Sequence, residues 1–336
     1  MAVDCAPGLK ERHLQKEEKL IRGNTKFLFR PSWYLNKFMK WPNRFSSNHW
    51  LHKKLKSSLS KNDILLVYHS LSYEKEIKKI KEKTGCRLIY QIEELYSDAK
   101  LHVSPKEMQE ELSGLSRGDA FIFSSESLRQ RCNFANNKPS CILYGAYSNH
   151  AQNTKHDHKK VELVYLGTLD PIKRGADNAI AALDFLDSSY VLHILSGEDP
   201  RRIMALAAKN TQRQASIIFE GPKYGQDLYD FLNSCDIGLS TQNACSSFNE
   251  SSFPSKIITY LSCGLKIVSS KSVSVLNSSI SDWLFFYDGE QPEEIATAIR
   301  RCSKTETQGN GETAINNLND TFLENFSGLL ENRGND

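Results

Sequence analysis

The chain has 336 residues, 39% hydrophobic and 25% charged, enough for two ordinary domains with packed cores. Its formal charge of +3 excludes a strongly basic or acidic character for the whole chain. The first 25 residues hold no apolar secretory core, and no stretch approaches the roughly 20 apolar residues that span a bilayer. These features predict a cytoplasmic protein, or one at the inner face of a membrane.

Residues 1–60 form a segment of their own. They carry thirteen Lys and Arg against four Asp and Glu, with Trp33, Trp41 and Trp50 among them. Aromatic residues interleaved with cations suit peripheral contact with an anionic membrane. They equally suit aromatic core positions on a surface helix or loop. A nucleic-acid partner is not expected, because no recognised module follows. "KFLF" (26–29) is the only early strand candidate.

From residue 61 onward, short apolar runs alternate with helical patterns. "DILLVYHS" (63–70), "CRLIYQI" (86–92), "DAFIFSS" (119–125) and "SCILYGA" (140–146) read as strands. The polar segment 148–160 follows; its core, 151–160, reads as a solvated linker, and His150, His156 and His158 lack ligand spacing for a metal. A second strand series runs "VELVYLGTL" (161–169), "YVLHILSG" (190–197), "ASIIFEG" (215–221), "DIGLST" (236–241), "LKIVSS" (265–270) and "WLFFYDG" (283–289). Continuous apolar strands separated by helices predict α/β domains with parallel sheets covered on both faces. The expected domains are 61–150 and 161–305, followed by a helical tail, 306–336, that packs back on the N-terminal domain. Eight cysteines without a CxxC pair predict reduced, buried thiols.

Two stretches of the second series point to an anion. After the strand at 161–169, Gly167 permits close backbone approach, and Lys173 and Arg174 bring charge to a helix start at Gly175. In "FNESSFPSKIITYLSCGLKIVSS" (248–270), Pro254 suits the first helical turn, and Ser251, Ser252 and Ser255 are capping candidates. Lys256 adds a cation, and Gly264 is the expected stop.

The run Val161–Cys302 resembles the nucleotide-sugar domain of GT-B glycosyltransferases, especially the retaining family 4. "YLGTLDPIKRG", "VLHILSGED", "IIFEGPKYGQDLYDFLNSCDIGLST", "SSFPSKIITYLSCGLKIVSS" and "FFYDGEQPEEIATAIRRC" carry it, in matching order and spacing. The first half resembles the family in general architecture only. The resemblance implies two Rossmann-like doubly wound domains facing a central cleft. It implies donor phosphates at Gly167, Thr168, Lys173 and Arg174, and the base at Glu220, Gly221 and Pro222. Phosphates and sugar would also meet Ser252, Phe253, Pro254, Ser255, Lys256 and Thr259. No metal or other cofactor is expected, since cations and N–H dipoles would hold the leaving diphosphate.

One departure stands out. The family commonly carries two glutamates eight positions apart, the second five residues before the helix-ending glycine; Ser251 and Thr259 stand there, with Glu250 one position early. The catalytic candidates are therefore His69, Glu250, Arg174 and Lys256. At the ends of the N-terminal strands, Glu93, Glu94 and Ser125 are candidates for the acceptor, a glycan or lipid-linked molecule. The reading is transfer of a sugar in polysaccharide biosynthesis. The alternatives are a catalytically weak nucleotide-sugar-binding or glycan-binding partner subunit and a sugar-nucleotide epimerase.

Overall fold

The computed structural model describes residues 2–4, 18–22, 25–29, 40–98, 104–152, 159–170, 174–209, 213–243, 252–289, 291–305 and 311–331. The chain divides into two compact units, Met1–Gln91 with Gln109–Asp119, and Ile92–Met108 with Ala120–Asp336.

The first unit begins with a small sheet of β1 (Ala2–Asp4), β2 (Glu18–Arg22) and β3 (Thr25–Phe29), in the order β1-β3-β2. β3 contains the expected early strand. β2 is "EKLIR", whose charges hide it from an apolar-run search. α1 (Lys40–Lys56) buries Leu51 and Leu55 and packs on α2 (Glu74–Thr84). α2 is helical for local reasons. Ile77 and Ile80 share a buried face, Glu74 and Glu76 occupy the first turn, and Lys81 and Lys83 the last. Gly85, at φ 65°, ends it with a bond to the Lys81 carbonyl. β4 (Ile64–Tyr68) pairs in parallel with β5 (Arg87–Ile92), where Leu88, Ile89, Tyr90 and Ile92 are buried. The C-terminal part of α3 (Pro105–Leu115) brings Glu111 and Leu115 into this unit's interior.

In the second unit, β6 (Ala120–Phe123) and β7 (Ser140–Ile142) pair in parallel, with α4 (Glu126–Arg131) between them in sequence. The main sheet has six parallel strands: β8 (Val161–Leu166), β9 (Tyr190–Leu195), β10 (Ser216–Phe219), β11 (Ile237–Ser240), β12 (Lys266–Ser270) and β13 (Leu284–Tyr287). Their spatial order is β10-β9-β8-β11-β12-β13, so the order reverses between β8 and β11. Successive side chains of β8 go to opposite faces. Leu163 and Tyr165 join the core under α5 (Gly175–Ala182) and α10 (Pro292–Lys304). Val164 joins the core under α7 (Gly225–Asn233) and α8 (Lys256–Ser262). All ten expected strands of the two series are present; burial of both faces explains the apolar runs of β6 and β11, whereas β4 leaves Ile64, Leu66 and Tyr68 exposed.

α6 (Pro200–Ala207) follows β9, and α9 (Val273–Leu276) follows β12. α11 (Gly311–Glu331) packs on α8 and β7. The expected solvated linker is docked at its start. Asn233, buried in α7, donates to the His150 carbonyl at 2.9 Å and accepts from Gln152 N at 3.0 Å, while His150 stacks on Tyr229. His156 and His158 lie outside the described residues. The six described cysteines are buried; burial pushes Cys141, Cys235 and Cys302 up to about 12.

Candidate active site at the strand-order reversal

Open α/β sheets place ligands at the carboxyl ends of strands where the strand order reverses. Here that point lies between β8 and β11. The two strands pair only through Ile237↔Leu163 and Gly238↔Val164. Beyond them, the Tyr260 hydroxyl accepts from Leu166 N at 2.8 Å and reaches the Leu239 carbonyl at 3.5 Å. The Tyr260 ring lies over Gly238, where a Cβ would stand 2.4 Å from it. A tyrosine on α8 thus fills the place of the missing ladder, and only glycine fits beneath it.

Gly167 follows at φ 147°, in the region glycine favours. The Lys256 ammonium would stand 3.1 Å from a Cβ on Gly167 and lies 4.1 Å from the Tyr165 ring centre. Lys256 therefore meets the β8–α5 loop at Gly167, two stretches that the family resemblance assigns to one ligand. Thr168 is exposed beside it, and its carbonyl accepts from Tyr165 at 3.3 Å. α5 is bolted to β11: Thr241 donates to the Gly175 carbonyl at 2.6 Å, and Asn178 donates to the Thr241 carbonyl at 2.9 Å. Arg174, just before α5, holds φ 51°. It is the non-glycine residue with positive φ among those described, and its side chain lines an open cavity with α6. The cavity lining includes neither Lys256 nor Gly167, so the two expected phosphate cations face different surroundings. Lys173 lies outside the described residues.

The loop after β10 has an inward carboxylate and an open backbone. Glu220 bonds His193 Nδ1 at 2.9 Å, and Lys223 lies 3.5 Å away. The other ring nitrogen of His193 meets Glu162 at 2.6 Å. Gly221, at φ 71°, has no heavy atom within 4 Å of where a Cβ would be. The Glu220 side chain is thus held by His193 on the sheet and by Lys223.

α8 starts at Lys256, not at Pro254 as the sequence suggests. The Pro254 carbonyl accepts from Ile257 N at 3.0 Å, a turn leading into the helix. Ser255, at the cap position, makes no side-chain cap. The helix ends as expected: Gly264, at φ 76°, bonds Leu261 O and Leu265 N bonds Tyr260 O, closing a Schellman motif. The partly buried Thr259 hydroxyl turns back to Ser255 O at 3.5 Å. Ser252 accepts from Ser274 through its carbonyl. Phe253 is buried against Tyr144, ring centres 4.7 Å apart. The Tyr144 hydroxyl donates to Glu126 and accepts from Ser279 N at 3.0 Å; burial, with Glu126 second, pushes it up to about 12. Glu250 and Ser251 lie outside the described residues.

In the first unit, His69 ends β4 with 2% exposure. Its Nε2 bonds Glu111 at 2.8 Å, and Glu74 lies 3.7 Å from Nδ1. Burial opposes the charged imidazole, but Glu111 and Glu74 outweigh it and raise the pKa above its ordinary value. In the second unit, Glu93 is exposed and Glu94 half-buried, and the Glu93 carbonyl accepts from Ser124 at 2.7 Å. Ser125 is fully buried, capping α4 by accepting from Leu128 N at 3.1 Å. Among the described residues no group of three or more His, Cys, Asp and Glu is placed to hold a metal ion, and no helix is long and apolar enough to cross a membrane.

Sequence reading missed Tyr165, Tyr260, Thr241, His193, Arg202 on α6 and Lys209 in the turn after it. Only one carried a local signal: Tyr260 is a bulky polar-tipped residue in an apolar helix that packs opposite a strand glycine.

No curated protein matches the sequence. Among solved structures, an E. coli trehalose-6-phosphate structure bound with UDP-2-fluoro glucose aligns over 95% of this chain and 90% of its own, at 13% identity and TM-score 0.68. A UDP-forming trehalose-phosphate synthase from Burkholderia xenovorans in complex with glucose-6-phosphate aligns over 94% and 89%, at 12% identity and TM-score 0.66. Anabaena HepE in complex with UDP and glucose aligns over 90% and 86%, at 14% identity and TM-score 0.63. These likenesses show the fold, GT-B with two Rossmann-like domains. The sequence model of glycosyl transferases group 1 matches residues 147–316, half of the chain. The chain belongs to the glycosyl transferases group 1 family, and is a glycosyltransferase by that membership.

Proposed function

We propose that the protein moves a sugar from a nucleotide-sugar donor to a glycan or lipid-linked acceptor, with retention of configuration, in polysaccharide assembly. The observation that carries this reading is Lys256 beside Gly167 at the reversal of strand order. As the glycosidic bond to the donor breaks, negative charge gathers on the leaving diphosphate. Lys256, Lys173 and Arg174, with the backbone around Gly167 and Thr168, would stabilise it there. Gly221 and Pro222 would hold the base through their backbone, and Ser252–Ser255 with Thr259 would meet the sugar. Glu93 and Glu94 would serve the acceptor side and Glu250 the catalytic step, with Ser125 acting through the helix it caps; His69, sealed between Glu111 and Glu74, is closed to a substrate. A metal would then have no required part. The structures aligned above hold UDP, a UDP-sugar analogue, glucose and glucose-6-phosphate, which supports the donor and acceptor classes.

The second reading, a catalytically weak donor-binding partner, is favoured by Thr259, whose hydroxyl turns back toward its own helix backbone. An epimerase is the third. A panel of UDP-, GDP- and ADP-sugars, read by thermal shift and nucleotide release with an acceptor pool, separates them. Binding with release into a glycosylated product is the expected result. Binding without release supports the partner reading, and no binding of any donor sinks both.

We also place the protein at the inner face of a membrane, through its basic N-terminal segment. Lys53, Lys54 and Lys56 end α1, and Lys56 beside Lys83 holds the Lys83 ammonium below its ordinary range. Like charges so gathered suit an anionic surface. The protein should pellet with anionic liposomes and not with neutral ones; equal behaviour on both refutes this placement.

A further inference from the structure

The cavity of about 330 Å³ that Arg174 enters is lined by Arg174, Asp177, Arg202, Ala205, Leu206 and Lys209. It lies between the start of α5 and the length of α6. Three cations face one carboxylate across an apolar floor. Arg202 is fixed in place: it donates to the Leu169 carbonyl at 3.1 Å and pairs with Glu198 at 3.1 Å. Among the described residues, the Arg174 guanidinium and Lys209 ammonium have no hydrogen bond or ion pair. Two unneutralised cations beside an anchored arginine make a local excess of positive charge that water alone screens. The volume suits a small molecule.

We propose that this cavity binds a phosphoryl-bearing anion. Guanidinium groups present planar pairs of N–H donors that match phosphoryl oxygens, and Lys209 adds a mobile point charge. Asp177 would accept from a hydroxyl on the same ligand, which makes a phosphorylated polyol or sugar the fitting class. The phosphoryl group has two sources, the diphosphate of the nucleotide-sugar or a separate phosphorylated small molecule. The first source rests on the donor reading above, with which the cavity shares Arg174. The test therefore uses Arg202 and Lys209, which that reading leaves out.

Calorimetric titration with inorganic pyrophosphate and, separately, with UDP is run on the full chain, on Arg202→Gln/Lys209→Gln and on Lys209→Gln alone. Both positions are exposed, and Lys209→Gln breaks no bond, so it guards against a folding artefact. The full chain should bind pyrophosphate, and the double variant should bind it about tenfold or more weakly. Lys209→Gln should fall in between. If UDP affinity is kept in the variants and pyrophosphate binds alongside UDP, the ligand is a separate phosphorylated molecule. If UDP affinity falls in step and the two compete, the donor diphosphate occupies the cavity. Pyrophosphate binding without any UDP binding would sink the donor reading and leave the cavity standing. Equal pyrophosphate affinity in all three proteins, or none in the full chain, overturns the proposal.

Discussion

His69, at the end of β4, is sealed at 2% exposure between two glutamates, whereas the Arg174 side chain, after β8, projects into an open cavity and has no hydrogen bond or ion pair among the described residues. Both are chemistry-bearing residues at the carboxyl end of a parallel strand. Their surroundings differ because α3 lays Glu111 over the first, while the loop after β8 carries its residue clear of the sheet. Residue type and strand position name a chemistry. Burial decides whether the group is spent on folding or left for a ligand.

The largest effect should come from breaking the sealed end. Glu111→Ala leaves His69 in place without its buried partner, a change worth about 3–5 kcal/mol. Urea unfolding should show it, and a loss near zero would mean that the first unit is as open as the second. At the open end, Lys256→Ala should lower nucleotide affinity roughly 10- to 100-fold, matching the ~1.5–3 kcal/mol of a charged hydrogen bond. Titration with UDP checks this; equal affinity would remove the contrast. Gly221→Ala should cost about 1–2 kcal/mol of stability, since a Cβ there meets no atom and only the left-handed backbone is strained. A larger loss would show that the β10 loop is packed rather than open.

The smallest effect is a pH slope. His69 has its pKa raised above the ordinary 6.5, so its contribution is fully present below that value and fades as pH rises through the folded-state pKa. Stability should therefore fall with rising pH across this window, by no more than about 1.4 kcal/mol per unit. His69→Asn should flatten that part of the profile; an unchanged slope would assign it to other groups.

The sheet was legible because strands buried on both faces are mostly apolar; in "VELVYL" and "YVLHIL" Glu162 and His193 break the run, and they pair with each other. Gly264 was legible because a helix stop is local chemistry. The conformation of Arg174 was not, because its φ is imposed by the Asp170 carbonyl and the seating of α5. Glu220 gave no sign of turning inward, since the histidine that holds it lies 27 positions away on a neighbouring strand. Ser125 reads in sequence as an acceptor contact, and only the folded chain shows its buried hydroxyl taken up by the Leu128 N–H as the cap of α4. Pro254 misled because a proline two residues before a helix looks, in sequence, like one inside its first turn.

The Tyr260 hydroxyl between Leu166 and Leu239 has a consequence for how a ligand is met. Two parallel strands left unpaired would tend to zip together, and parting them would then be charged against each arriving molecule. A phenol wedged in the fork keeps them parted at all times, and the expense is met once, when the chain folds. The crevice is thus a finished mould rather than a door, and what enters it need only be the right shape and charge.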